Sequence, residues 1–180
     1  MPDEPLAAAP VLRTERLILR GHTRADFDEC AAMWADPQVT RHIGGRPSTE
    51  EEVWARVLRY AGLWALLGYG YWAVREWESG RFVGDVGLAD FRRAVTPALG
   101  DAPEAGWVLA PWAHGRGLAT EAVRAVLSWA DAHLAAPRTV CLIAPGNAAS
   151  IHVAEKCGFR ERERGTYKAE ETIICERPRG

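Results

Sequence analysis

The segment Glu104–Ala122 (EAGWVLAPWAHGRGLATEA) joins a strand pattern to a helix pattern through a glycine-rich turn. The strand pattern ends near Ala110, because Pro111 lacks the N–H group that a regular ladder strand needs. The turn follows at residues 114–117, and apolar residues then recur at helical spacing as far as Leu134. A chain with this order is expected to form a sheet with a helix packed against one of its faces.

This turn has the properties of an anion-binding site. The first N–H groups of a helix lack intrahelical partners and carry partial positive charge. Gly115 and Gly117 let a ligand approach the backbone without a Cβ in the way, and Arg116 adds a mobile positive charge. A phosphate or pyrophosphate is the expected ligand. Glycine is also common between any strand and helix, so the turn alone leaves both interpretations open.

Two known phosphate motifs do not fit the turn. The Walker pattern GxxxxGK[ST] is absent from it, and the dinucleotide pattern GxGxxG is only half matched, because Thr120 occupies the third glycine position. No second mononucleotide-binding half follows this unit, as a dinucleotide-binding fold would require. These departures argue against a nicotinamide-dependent dehydrogenase.

The N-terminal part predicts a strand followed by two helices. Thr23 is a candidate N-cap for the first helix, which ends before Pro37. Ser48 and Glu51 form a capping-box pattern ahead of the second helix. The apolar stripe expected on this second helix consists of Val53, Trp54, Val57, Leu58 and Ala61.

The pattern beyond this second helix has the period of strands, with a hairpin turn at residues 78–80. The unit 104–144 reads strand, helix, strand, and should form a parallel pair with a right-handed crossover. The order predicts a mixed α/β arrangement around one sheet. The predicted strands are 16–20, 69–77, 81–91, 104–110, 138–144, 159–164 and 172–177, and the predicted helices are 23–35, 48–67, 119–134 and 147–157.

Length and composition restrict the class of protein. The 180 residues, 48% of them apolar, suffice for one domain, which we expect at 11–180 behind a flexible tail at 1–10. The net charge of -2 provides no general attraction to nucleic acid or to an anionic membrane. We find no signal-peptide pattern and no apolar run long enough to span a bilayer. We therefore expect a soluble, cytoplasmic protein without nucleic-acid or membrane partners.

The turn at residues 114–119 resembles the acetyl-CoA signature of the GNAT superfamily of N-acetyltransferases, [Gln/Arg]-x-x-Gly-x-[Gly/Ala]. Gly117 and Ala119 match this signature, whereas His114 stands where glutamine or arginine is usual. Because such a turn acts mainly through backbone N–H groups, the departure at His114 changes little.

Further segments resemble motifs of the subfamily that contains the ribosomal-protein N-terminal (RimJ/RimL-like) acetyltransferases, and they occur in the order of that subfamily. The resemblance covers about residues 13–177 and implies the GNAT acyl-CoA N-acyltransferase fold. That fold is a mixed α+β structure with one central, mostly antiparallel sheet, a parallel splayed pair and flanking helices. The matching segments are Arg13–Arg20 (TERLxLR), Gly84–Gly87 (xGxxG), Glu104–Leu109 (E-x-G-Y-x-L), and Asn147–Ser150 with Glu155–Phe159 (NxxS…EKxGF).

The resemblance implies direct transfer of acetyl from acetyl-CoA to a primary amine, either a protein N-terminus or a small molecule, without a metal. A non-catalytic acetyl-CoA-binding sensor or scaffold is the alternative. By analogy, the pyrophosphate binds the backbone of the turn, and the pantetheine pairs with the strand edge at Val108 and Leu109. A bulge near Pro111 would free a strand N–H for the thioester oxygen. The implied cofactor-binding residues are Val108, Leu109, His114, Gly115, Arg116, Gly117, Leu118, Ala119, Thr120 and Asn147.

Glu104 is the candidate general base, acting directly or through a water, because a carboxylate both attracts an ammonium group and accepts its proton. Asp85 and Asp90 are weaker alternatives on the preceding strand, and a solubilising role of Glu104 stays open. His22 and His152 are expected to be packing or surface residues.

Ser150 is the candidate proton donor to the leaving thiolate. Many members of the superfamily use a tyrosine one turn later on this helix, but Ala154 occupies that position. A plain helix residue is the alternative role of Ser150, and Tyr167 is a second candidate donor. Asn147 is expected to cap the same helix.

The remaining expectations concern the aromatic residues, the cysteines and the assembly. The two early helices and the last hairpin should form the acceptor pocket, and a monomer and a homodimer both stay open. The cysteines contain no CxxC pair, so reduced core thiols are expected rather than metal ligands or a nucleophile: Cys30, Cys141, Cys157 and Cys175. Most tryptophans should pack in the core, with an acceptor-pocket wall as the alternative for Trp34, Trp54, Trp64 and Trp72.

Overall fold

The computed structural model describes residues 8–180, and most of the tail expected at residues 1–10 lies outside them. Nine strands in this range form one sheet in the order β1-β2-β3-β4-β6-β7-β9-β8-β5. Two single 3-10 turns occur in addition, at Arg24–Asp26 and Pro111–Ala113. The elements are β1 Leu12–Arg13, β2 Leu17–Arg20, α1 Phe27–Trp34, α2 Pro37–Thr40, α3 Glu50–Leu67, β3 Tyr71–Glu76, β4 Phe82–Ala89, β5 Val95–Thr96, β6 Glu104–Leu109, α4 Leu118–His133, β7 Arg138–Ile143, α5 Ala148–Lys156, β8 Arg160–Tyr167 and β9 Glu170–Pro178.

The sheet is antiparallel throughout its described part except between β6 and β7, which run parallel. The predicted parallel pair and the mixed α/β fold are therefore confirmed. Only Glu104 and Val140 pair between β6 and β7. On its other side β7 pairs with its antiparallel neighbour β9 through six register positions, from Arg138 to Ile143. The two parallel strands consequently diverge from one another toward their C-terminal ends.

Helices cover both faces of the sheet and create three apolar clusters, the smallest of which contains Tyr60 and Tyr71. The larger cluster contains the buried stripe of α4 together with side chains of β2, β3, β4 and β7. Its largest members are Trp64, Trp72 and Trp129, which pack edge to face with ring centroids 4.6–5.4 Å apart. A second cluster packs α1 and α3 on the opposite face, around Trp34 and Val53. Aromatic pairs of this kind add to the energy of plain area burial.

Helix α3 begins and packs differently from the sequence-based expectation. Its capping box uses Thr49 and Glu52, one position later than the predicted pair Ser48 and Glu51. Its buried residues are Val53, Val57, Tyr60, Leu63 and Trp64, whereas Trp54 and Leu58 are 38% and 54% exposed. Apolar residues occur around much of this helix, so contact with the sheet, and not the pattern, selects the buried face.

Three smaller elements were not predicted. Pro37 starts the short helix α2, because proline suits the first helical position and the Asp36 carboxylate accepts a hydrogen bond from the N–H of Gln38 (2.7 Å). Strands β1 and β5 contain two residues each, which is too short for a recognisable period. None of the helices in residues 8–180 has the length and apolar character needed to cross a membrane.

Asp26 holds the start of α1 to the sheet through a buried ionic cluster. Its carboxylate is fully buried and accepts hydrogen bonds from Arg20 (2.7 and 2.8 Å), from Arg75 (2.7 Å), and from the N–H and hydroxyl of Thr23 (2.7 and 2.9 Å). Burial opposes ionisation of this carboxyl, but the hydrogen bonds from Arg20, Arg75 and Thr23 outweigh it and hold the pKa of Asp26 well below its usual range.

We expect Asp26→Asn to lower the free energy of unfolding by about 3–5 kcal/mol at neutral pH, because it removes the buried counter-charge of Arg20 and leaves Arg75 with only Glu29. The folded-state pKa of Asp26 is depressed, so its contribution is present above the unfolded pKa of about 3.9 and is lost as the pH falls below it. Denaturant unfolding at several pH values measures the difference. Asp28→Asn, at an exposed position of α1, is the control; equal losses for both variants would contradict the assignment.

Candidate active site

The gap between β6 and β7 presents free backbone groups of β6 to a ligand. The N–H of Val140 donates to the carbonyl of Pro103 (3.0 Å), and the N–H of Ala110 donates to the carbonyl of Val83 on β4 (2.8 Å). Backbone groups of successive residues alternate between the two sides of a strand. Trp107 and Leu109 therefore turn their N–H and carbonyl groups toward the gap.

This orientation corrects two sequence-based expectations. The backbone of Val108 faces β4, opposite Asp85, so Trp107 and not Val108 shares the open edge with Leu109. The register between β4 and β6 also contains no bulge; the irregularity lies between β3 and β4, at Val74 and Arg75. The N–H groups are free because β7 pairs with β6 only at Glu104 and Val140, which only the tertiary structure determines.

The glycine-rich turn stands at the C-terminal end of β6. Gly115 and Gly117 have φ values of 71° and 76°, in the left-handed region that glycine occupies without strain. Gly117 is the N-cap of α4, so no side chain caps its first N–H groups. A Cβ at position 115 would meet no atom within 4 Å, and the turn is therefore open on its outer side. An uncapped helix start with this open approach fits a diphosphate group.

Side chains around the turn fix its position. Nε2 of His114 lies 2.9 Å from the carbonyl oxygen of Leu109, which only accepts, so His114 donates and ties the turn to β6. The Arg16 guanidinium donates to the carbonyl of Arg116 (2.9 Å). Arg116 itself pairs with Glu76 (2.7 Å), so it is anchored and is not the mobile charge expected from the sequence. Its charge nevertheless lies beside the turn.

The remaining turn residues belong to the first turn of α4. Leu118 is fully buried, and Ala119 packs against the same apolar cluster. The carbonyl of Thr120 accepts from the thiol of Cys157 (3.8 Å). Their side chains therefore serve packing, and it is the backbone N–H groups of residues 118–120 that are oriented toward a ligand.

Helix α5 begins directly after β7, at the same edge of the sheet as the turn. The side-chain oxygen of Asn147 accepts from the N–H of Ser150 (3.2 Å), so the predicted cap is confirmed. Ser150 is half-buried in the first turn of this helix, and Ala154 packs into the core. Because the C-terminal ends of parallel strands share one edge, Asn147 and Ser150 lie on the β7 side of the gap and the glycine turn lies on the β6 side.

Glu104 lies at the closed end of the gap, at the residue where β6 and β7 still pair. It is 7% exposed, and both of its carboxylate oxygens accept from Nε of Arg93 (2.8 and 3.0 Å). Arg93 also donates to the hydroxyl of Tyr167 on β8 (2.9 Å). Burial raises the pKa of Glu104, while the charge of Arg93 and its hydrogen bonds oppose the increase.

A cavity of about 250 Å³ opens beside Glu104, lined otherwise by residues 89–93 and 98–102. Asp90, whose side chain is 43% exposed, lies on this wall and accepts from the N–H of Arg92 (2.9 Å). Arg92 adopts a left-handed φ of 46°, which turns the chain so that Arg93 reaches Glu104. A larger, shallower depression of about 440 Å³ between α5 and β8 contains His152 but none of the candidate catalytic groups.

Tyr71 of β3 projects across β4 to the middle of β6. A Cβ at Gly106 would overlap its hydroxyl, so Gly106 is the residue that lets this hydroxyl lie against β6. The ring of Tyr71 stacks on Tyr60 of α3, with centroids 4.4 Å apart and planes 5° from parallel. The sequence alone did not identify Tyr71 or Arg93 as site residues. The one local sign of the close approach of Tyr71 was Gly106, a glycine inside a strand.

Asp85, one of the alternative bases, is fully buried under α1. It accepts from Nε1 of Trp34 (3.0 Å) and lies 2.8 Å from Nε2 of His22. The expectation that Asp85 can act as a base is wrong, since these groups occupy both of its oxygens away from the gap. The side chain of His22 is 1% exposed and has the packing role expected of it.

The cysteines and tryptophans are mostly core residues, as expected. All four cysteines are free and buried. Trp34, Trp64 and Trp72 are fully buried as well, so they do not form a pocket wall. Trp54 is partly exposed on α3 and packs edge to face against Phe27, with ring centroids 5.4 Å apart.

Known proteins match this chain over most of its length. Residues 16–160 match the family model described as acetyltransferase (GNAT) domain. A candidate GNAT-family acetyltransferase from Bordetella pertussis is 33% identical, with a TM-score of 0.81 over 93% of this chain and 99% of that chain. An acetyltransferase from Agrobacterium tumefaciens is 30% identical, with a TM-score of 0.79 over 93% of each chain. The uncharacterized N-acetyltransferase YoaA from Bacillus subtilis is 25% identical over 154 residues, 84% of each chain.

We expect Gly106→Ala to lower the free energy of unfolding by about 1–3 kcal/mol, because the new methyl group overlaps the Tyr71 hydroxyl. In a Tyr71→Phe background the loss should be much smaller, since the nearest ring atom, Cζ, would lie 3.2 Å from the methyl group. A double-mutant cycle in denaturant measures this coupling. Additive effects of the two substitutions would contradict the contact.

Proposed function

The chain belongs to the acetyltransferase (GNAT) domain family, and from this premise we propose that it transfers acetyl from acetyl-CoA directly to a primary amine. The family makes it an N-acetyltransferase; the co-substrate, the direct transfer and the residue roles are the proposal. One observation carries it: the gap between β6 and β7 runs from a helix start suited to a diphosphate to the buried carboxylate of Glu104.

Acetyl-CoA would be held along the length of this gap. The N–H groups of the turn at residues 115–120 would bind its pyrophosphate, with Arg116 beside them. The open edge at Trp107 and Leu109 would pair with the amide groups of the pantetheine, and Asn147 would contact it from the β7 side. The N–H groups along that edge are suited to bind the acyl oxygen, because donors preorganised in a protein stabilise developing negative charge.

Glu104 is proposed to accept a proton from the incoming ammonium, directly or through a water. The amine nitrogen then bonds to the acyl carbon, the carbon–sulfur bond breaks, and the thiolate takes a proton from Ser150, whose hydroxyl is restored by the second proton that the nitrogen releases as the amide forms. Burial raises the pKa of Glu104, and the charge and hydrogen bonds of Arg93 favour its ionised form against that effect. Tyr167 stays an alternative donor, because its hydroxyl belongs to the same hydrogen-bonded group as Glu104.

The motif resemblance to the ribosomal-protein acetyltransferases leads us to retain a protein N-terminus among the acceptors. A small-molecule amine is equally compatible with the fold, since one fold serves many acceptors. The acceptor would approach on the face of the sheet that carries Tyr71, Tyr60 and Glu104.

Calorimetric titration tests the co-substrate. We expect acetyl-CoA to bind in the micromolar range, where many enzyme substrates bind, and ATP and NAD to give no response. Gly117→Trp should abolish binding by filling the turn. Gly80→Trp is the matched control, because Gly80 has a similar left-handed φ of 70° in a hairpin turn that contains no site residue. Unchanged affinity in folded Gly117→Trp protein would remove the turn from the site.

Glu104→Gln should lower kcat/KM by about 10²–10⁴-fold while acetyl-CoA affinity changes little, because only the proton acceptor is lost. The raised pKa of Glu104 predicts that wild-type kcat/KM increases with pH through a value above the usual glutamate pKa of about 4.3, and that this limb disappears in the variant. Asp101→Asn, an exposed carboxylate in the same cavity wall, is the control. A pH–rate profile that is unaltered in Glu104→Gln would refute the role.

A further inference from the structure

Three arginines converge on the face of the sheet that carries Glu104. Arg59 of α3 and Arg93 both stack on the ring of Phe91, with guanidinium carbons 4.9 and 4.5 Å from its centroid. Phe91 and Arg93 line the cavity beside Glu104. Arg56, one turn earlier on α3, lies over the ring of Trp34 at 3.6 Å. Aromatic rings thus hold Arg56 and Arg59 in place without using their N–H groups.

The charges of Arg56 and Arg59 have no counter-charge among residues 8–180. Neither guanidinium makes an ion pair or a hydrogen bond within that range, and Nε of Arg56 is buried without any partner. Burial lowers the pKa of Arg59, and the nearby positive charges of Arg56 and Arg93 lower it further. A buried donor without a partner is costly, which applies to Nε of Arg56, while the exposed guanidinium of Arg59 is open to a ligand, so both are suited to receive an anion from outside the chain.

The carboxylates nearby already have other partners. Asp85 is bound by His22 and Trp34, and Glu104 is bound by Arg93. Asp90 and Asp101 on the cavity wall are exposed, and neither pairs with Arg56 or Arg59.

Aromatic side chains connect the two arginines to the proposed transfer site. Tyr60, which follows Arg59 on α3, is close enough for the charges of Arg56 and Arg59 to act on its hydroxyl. Tyr60 stacks on Tyr71, and the hydroxyl of Tyr71 lies against Gly106, two residues from Glu104. A buried aromatic stack thus lies between the free guanidinium groups and the proposed base.

We infer that the acceptor carries a carboxylate or another anionic group close to the amine that is acetylated. This inference rests on the proposed function and narrows its acceptor. The ammonium end would be directed to Glu104, and the anionic end would bind Arg59 and Arg56, whose planar groups match a carboxylate in a bidentate manner. Free α-amino acids and peptides with an acidic first residue share this chemistry. Polyamines do not, because they would add positive charge to the arginines.

The test compares matched acceptors by the CoA released from acetyl-CoA. The common L-amino acids are each measured against their amides, which have nearly the same size but lack the carboxylate. Peptides that begin with Asp or Glu are measured against peptides that begin with Asn or Gln, and spermidine is included. We expect kcat/KM for the anionic acceptor to be about 10–100-fold higher than for its neutral analogue. This range corresponds to the usual contribution of a hydrogen bond between charged groups. Whether the amino acids or the acidic peptides release CoA identifies which of these two classes of acceptor the protein acetylates.

Arg59→Gln and Arg56→Gln should raise KM for the anionic acceptor about 10–100-fold, leave kcat nearly unchanged and leave the neutral analogue unaffected. Arg59→Lys should restore part of the loss. Arg179→Gln, an exposed arginine just after β9, is the control and should behave as wild type.

Each outcome separates this inference from the proposed function. If amides or spermidine react as well as the anionic acceptors, the inference is overturned while acetyl transfer stands. If Arg59→Gln affects anionic and neutral acceptors equally, the arginine has only a structural role and the inference is also overturned. If acetyl-CoA binds but no acceptor releases CoA, the proposed function fails, and the inference fails with it.

Discussion

The divergence of β6 from β7 is the constraint on which the site depends. The two strands pair only at Glu104 and Val140, whereas β7 stays paired with β9 along its whole length from Arg138 to Ile143. An unpaired strand edge inside a sheet leaves polar backbone groups without partners, which is costly unless water or a ligand satisfies them. In this chain that edge extends from a buried carboxylate to an uncapped helix start. This divergence places the starts of α4 and α5 at one edge of the sheet, where they flank the open end of the gap on the β6 side and on the β7 side.

The two faces of the sheet have different chemistry for a physical reason. Beneath α4 the packing is apolar and centred on three tryptophans. Beneath α1 and α3 the sheet carries buried charges, and the acidic ones have close partners: Asp26 with Arg20 and Arg75, Asp85 with His22, Glu104 with Arg93. A buried carboxylate is stable only when it is paired with a charge or hydrogen-bonded in this way. The guanidinium groups of Arg56 and Arg59 on α3, by contrast, have no ion-pair partner among residues 8–180, and this difference motivates the inference about the acceptor.

Much of the fold and part of the site followed from local pattern. The helix and strand order, the parallel pair, the Asn147 cap and the glycine turn each depend on residues close together in sequence. The sequence alone did not identify Arg93, Tyr71 or the arginines of α3, because each of them contacts residues that are distant from it in the sequence. The sequence-based assignments of the buried face of α3 and of the open edge of β6 differ from the structure by about one position. Contact with neighbouring elements decides both the rotation of a helix and the pairing of a strand.

By itself the sequence determined a mixed α/β chain, a helix start able to bind an anion and a carboxylate at the head of the strand before it, since caps, turns and periodicity are properties of short segments. Only the tertiary structure decided that β7 pairs with β6 at one position, that Arg93 pairs with Glu104, that Asp85 is buried under α1, and that Arg56 and Arg59 have no counter-charge among residues 8–180. These features depend on which distant side chains come within hydrogen-bonding distance, and a single sequence does not encode that information locally.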